Sequence, residues 1–107
     1  MPYPVYSTQF IALGGVTRVQ IYVVPDGFRG VLRDVDVACV TGDVDERLFY
    51  LFCPSPNLMW TATAPSSTPF FAQWRGRQVL NPGDRITFDP QVGAWDVAAS
   101  GYLLELP

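Results

Sequence analysis

At 107 residues the chain has the length of a single domain, and a chain of this size buries roughly two-thirds of the surface its unfolded form exposes. Hydrophobic residues make up 49% of it and charged residues 16%, which excludes a disordered polar segment, and no apolar run is long enough for a transmembrane helix. A net charge of −3 with no basic block excludes the clustered cations a nucleic-acid footprint requires.

The N-terminal residues Met1-Pro2-Tyr3-Pro4-Val5-Tyr6 carry neither a cationic nor an apolar signal region, so synthesis in a cytoplasm without a signal peptide is expected. Their two prolines cannot continue a sheet. Residues 1–8 therefore read as an extended arm, carrying Tyr3 and Tyr6, ahead of a sandwich domain over 9–107; the arm drapes over its own domain or over a neighbour's edge strand.

Ten prolines and nine glycines punctuate the whole sequence and leave no window for a helix, while β-branched and aromatic runs recur between them with a period of two. A first strand is expected around residues 5–13, overlapping the arm. Over 17–24, Val19, Ile21 and Val23 share one face and Arg18, Gln20 and Tyr22 the other, which reads as a strand with one buried face. Pro25-Asp26-Gly27 is a turn. Residues 31–40 alternate most sharply, with Val35, Val37 and Cys39 on one side and Asp34, Asp36 and Ala38 on the other. A polar loop over 41–47 leads to Leu48-Phe49-Tyr50-Leu51-Phe52-Cys53, apolar on both faces. Such a strand is either central in the sheet stack or covered by a neighbouring chain.

Beyond Pro54-Ser55-Pro56-Asn57, a strand over 58–64 puts Leu58, Trp60 and Ala62 on one side, and another covers 70–74. Arg75-Gly76-Arg77 interrupts the chain before Val79-Leu80. Asn81-Pro82-Gly83-Asp84 is a strong turn, with proline fixing its φ and glycine taking a positive one. Ile86 and Phe88 share a face of the next strand. In the last, over 95–106, Trp95, Val97, Ala99 and Leu103 lie together and Gly101 marks a bulge or a close approach of two backbones. About eight short strands at this spacing predict an all-β fold, a single antiparallel β-sandwich of the jelly-roll type.

Chemistry is narrowly bounded. All seven basic residues are arginine, and without histidine no Ser-His-Asp or Cys-His nucleophile can be assembled, so a non-enzymatic protein is expected. Asp34 and Asp36, two apart on one strand face, have roughly the 6–7 Å separation of an inverting glycosidase pair, but a solvated strand face explains them better. Asp43, Asp45 and Glu46 offer three oxygen donors that could hold Ca²⁺ with low affinity, although a solvated hairpin tip again explains them better. No other cofactor is implied. Cys39 and Cys53 read as small buried hydrophobes; a hairpin turning at Glu46 would put them on opposite strands and within reach of a disulfide. Trp60, Trp74 and Trp95 fall on apolar faces by alternation. Trp74-Arg75-Gly76-Arg77 sets an aromatic beside two arginines, the composition favoured at interface centres, so Trp74, Arg75 and Arg77 are candidate subunit contacts with Tyr3 and Tyr6.

Four stretches together carry a resemblance: Val-Pro-Asp-Gly-Phe-Arg-Gly at 24–30, Val-Leu-Arg-Asp-Val-Asp-Val at 31–37, Trp-x-Gly-x-x-x-Leu-x-Pro-Gly-Asp at 74–84 and Ser-Gly-Tyr-Leu-Leu at 100–104. The chain resembles small virion structural proteins of actinobacterial tailed bacteriophages. That resemblance implies an all-β protein of the virion, on the tail, the tail tip or the capsid surface, made in the host cytoplasm. Its partners would be other virion proteins and copies of itself in a homo-oligomer, with no membrane or nucleic acid. The alternative is a carbohydrate-binding module whose exposed aromatics stack on host-surface glycans.

Overall fold

A computed structural model describes residues 5–39, 46–65 and 69–107. They form eight strands and no helix: β1 (Val5–Val16), β2 (Gln20–Val23), β3 (Phe28–Cys39), β4 (Arg47–Phe52), β5 (Leu58–Ala64), β6 (Phe70–Leu80), β7 (Arg85–Val92) and β8 (Trp95–Glu105). Two four-stranded antiparallel sheets result, one ordered β1-β8-β3-β6 and the other β2-β7-β4-β5. Pairing is nested: β1 with β8, β2 with β7, β3 with β6 and β4 with β5. The chain is thus one long hairpin, folded at the β4–β5 turn and rolled into two layers, which is the jelly roll.

The core lies between the layers. Val35, Val37 and Cys39 point into it from β3, Phe49 and Leu51 from β4, Ile86 and Phe88 from β7, and Trp95, Val97 and Ala99 from β8. Trp95 is fully buried, 5.6 Å from the Phe49 ring and 6.4 Å from that of Phe70, and its indole N–H donates to the Val92 carbonyl at 3.0 Å. Gly101 is the close approach the sequence suggested: a Cβ built there would stand 1.9 Å from the Val31 carbonyl oxygen, so only glycine lets β8 lie against β3 at this point. The Asn81–Asp84 turn closes as its sequence requires, with Gly83 at φ +84° and the Asp84 N–H donating to the Asn81 carbonyl at 3.0 Å. Its backbone is also bonded to Val24 in both directions, fastening the β7 end to the end of β2.

Several expectations are corrected. The boundary between arm and sandwich moves: Val5 to Thr8, assigned both to the arm and to the first strand, open β1 and pair with 101–104 of β8. Around β2 the inner face is the one that carries Tyr22: Val19, Ile21 and Val23 are about half exposed, whereas Tyr22, opposite Ile86, turns inward and packs edge-on to Phe10 at 4.8 Å. Alternation alone cannot choose between an aliphatic and an aromatic face, and here the register with β7 chose the larger ring. Leu58 is exposed because a register shift beside Phe52 takes it out of phase with Trp60 and Ala62. Arg75-Gly76-Arg77 does not end a strand; β6 runs through it, with Gly76 and Arg77 together facing Arg33 of β3 as a bulge. Nor do Cys39 and Cys53 face each other across a hairpin. The chain crosses from one sheet to the other between them, and both are free, buried thiols.

Candidate functional site

With the core filled, the surfaces left for function are the two outer sheet faces and the edges. On the β2-β7-β4-β5 sheet, β4 is an interior strand whose inward side chains are Arg47, Phe49 and Leu51. Leu48, Tyr50 and Phe52 consequently point outward, only half covered by their lateral neighbours, because a two-layer sandwich has no third layer to place on them. Register aligns Phe52 with Thr87 and Leu58, and Thr87 with Ile21, so a largely apolar row crosses all four strands. Ile21 and Leu58, at its two ends, are more than half exposed.

The outer face of the β1-β8-β3-β6 sheet is divided by charge along the strands. Where β3 begins, Val5, Val31, Val79, Tyr102 and Leu104 line a hollow of ≈340 Å³ with Arg29, Arg33 and Arg77. The Arg33 guanidinium lies 5.9 Å from the Tyr102 ring centre, and its Nε is shielded from water with no hydrogen-bond partner among the described residues. At the other end, Ala12, Ala38 and Ala98 belong to a hollow of ≈410 Å³ whose polar groups include Asp36 and Asp96, with Phe71 beside them at 72% exposure. Asp96 is held by the Gly15 N–H, which donates to it at 2.9 Å. Between the two ends Arg75 bridges Asp34 at 3.1 Å and Asp36 at 3.0 Å.

These positions settle what each candidate residue touches. Asp34 and Asp36 are the two partners of one arginine on an open sheet face. Trp74 points inward and packs on the core, its ring against Gly76, so it is not part of the outer face. Arg75 and Arg77 are on that face, at its centre and at its basic end. Tyr6 is half exposed at the sheet edge, donates to Glu105 at 3.3 Å and meets Phe28 edge-on at 6.2 Å. The Glu105 carboxylate pushes the Tyr6 phenol above its usual range. Tyr3, Asp43 and Asp45 lie outside the described residues, and Glu46 is exposed just ahead of β4.

Sequence reasoning did not single out Phe71, Arg29, Arg33 or Asp96. A signal for Phe71 was present: in the pair Phe70-Phe71 on a single strand, one ring must face away from the core. Arg47, read as the end of a polar loop, is instead fully buried at the start of β4; its guanidinium donates to the Pro65 carbonyl at 2.6 Å and to the Cys39 sulfur at 3.4 Å. The Cys39 thiol in turn donates to the Ala94 carbonyl at 3.2 Å.

The sequence matches no protein-family model and no curated protein. Among solved structures, the Drosophila NLP core, described for its pentamer formation and histone binding, aligns with 94% of this chain and 98% of its own at 10% identity and a TM-score of 0.47. That likeness is too distant to bear on function.

Proposed function

We propose that this protein is a non-enzymatic assembly module, a bacteriophage virion structural protein of the tail, tail tip or capsid surface that works through subunit contacts. The observation that supports it most is β4. An interior strand that is apolar on both sides leaves Leu48, Tyr50 and Phe52 with no third layer over them among the described residues, and contiguous apolar surface of this kind is what contact with another subunit covers. The resemblance of the 24–37, 74–84 and 100–104 stretches to virion proteins of actinobacterial tailed phages gives the class of assembly. Gradient sedimentation of phage particles, followed by detection of this chain, tests the reading. The chain is expected to travel with the particle and to resist a salt wash; a chain found only at the top of the gradient would rule the reading out.

A glycan-binding reading draws on one observation, the exposed Phe71 ring beside Asp36 and Asp96, since a ring that can stack on a sugar and carboxylates that accept from its hydroxyls commonly occur together. Calorimetric titration with host cell-wall glycans is its test.

A further inference from the structure

We propose that the outer face of the β1-β8-β3-β6 sheet docks on the same face of a second copy of this chain, with the strands of the two copies antiparallel about a two-fold axis. The inference rests on the reading of the chain as an assembly module and names one of its contacts. It follows from the division of charge along the strands. A two-fold axis lying in the contact plane and crossing the strands reverses strand direction, so each copy's arginine end is laid over the other's carboxylate end. Arg29 and Arg33 of one copy then approach Asp96 and Asp36 of the other, and the same pairs form again on the far side of the axis. Stacking with the strands parallel would instead set arginine over arginine and carboxylate over carboxylate, a cost that selects the antiparallel arrangement.

Three further features agree with a second copy as the occupant. The Asp34–Arg75–Asp36 cluster falls toward the centre of the face, close to the axis, where Arg75 offsets one of the two carboxylate charges and the other is left for Arg33 of the second copy. The shielded Arg33 Nε, which has no hydrogen-bond partner among the described residues, acquires one from an opposing carboxylate. Phe71, the most exposed large hydrophobic residue described, is carried by the same rotation toward the apolar hollow around Val79. Four strands at ~4.8 Å spacing and about nine residues of ~3.3 Å each make a face of roughly 600 Å² in projection. With side-chain relief added, that approaches the ~800 Å² per partner of a standard stable interface.

Charge exchange tests the geometry. Sedimentation velocity over a concentration series is expected to show a dimer for the native chain and monomers for Arg29→Glu and for Asp96→Arg, each of which meets two repulsive pairs in its own homodimer. Mixed in equal amounts, the two variants are expected to dimerise again, because every pair in the heterodimer is then complementary, with affinity at least about tenfold above either variant alone. Asp96→Asn keeps an oxygen for the Gly15 N–H and is expected to weaken the dimer without changing the unfolding midpoint. Phe71→Ser, at a site that supports no core packing, is expected to do the same. A native chain that stays monomeric, variants that stay monomeric when mixed, or a dimer broken by Phe52→Ser but by none of these changes would each overturn the proposal. Particle sedimentation separates this outcome from the function: a monomer that still travels with particles sinks the face-to-face dimer alone, whereas a dimer that never does so sinks the virion assignment alone.

Discussion

Gly101 and Cys53 show how single positions constrain the fold. At Gly101 the backbone of β3 occupies the place of a side chain, and the atom in the way is a carbonyl oxygen that cannot swing aside. Gly101→Ala must push β8 from β3 and is expected to lower stability by about 3 kcal/mol or more, at the upper end of overpacking costs, as read from urea unfolding. Cys53 is buried, and burial together with the Asp84 charge pushes its thiol from the ordinary 9.0 up to about 12. Because the folded form holds this proton more tightly, its contribution to stability is fully present below pH 9 and is lost as pH rises from there toward 12, when the unfolded thiol ionises and the folded one does not. Tyr22, raised by burial, acts in the same direction. Urea midpoints should therefore fall steadily above pH 9, and Cys53→Ala should flatten that fall; a midpoint unchanged between pH 8 and pH 11 would contradict the assignment. The thiol should also resist alkylation until the protein unfolds.

Two strands carry the element-scale lesson. For β4, the composition of 48–53 already required either a central position or a covering partner, and the structure supplies the central position for one face only. Phe49, fully buried against Trp95, anchors the inner side, and Phe49→Ala is expected to cost about 3–5 kcal/mol. Phe52, half covered on the outer side and edge-on to Tyr50 at 6.3 Å, is expected to cost much less when changed to Ser in the isolated chain, about 1 kcal/mol. The pair of unfolding midpoints checks whether the two faces differ as described. In β2 the alternation revealed the period and left open which face is inner. Four residues at a sheet edge offer too few contacts to fix which face is inner, so the register with β7, and the space beside Phe10 that accepts the Tyr22 ring, decided it.

At the scale of the whole molecule, the strands, their turns and most of the core positions were legible from alternation and from the Pro-Gly punctuation, because period and turn chemistry are local properties. Val35, Val37 and Cys39, the Asn81–Asp84 turn and the close approach at Gly101 all stand where their local signals put them. Bulges were not legible, since an extra residue such as Phe10, or the pair Gly76 and Arg77, is defined by the partner strand and not by its own. Neither was the gathering of charge on one sheet. Arg29 and Arg33 lie far in sequence from Arg77, and Asp36 from Asp96, yet the rolled hairpin sets β3 between β6 and β8 and so brings each group together at its own end. The sequence by itself determined a β-rich chain with a two-sided apolar strand and no histidine for catalysis. Only the tertiary structure decided which faces stay open and how charge is divided on them, because nested pairing of distant strands, not local propensity, sets which side chains share a surface.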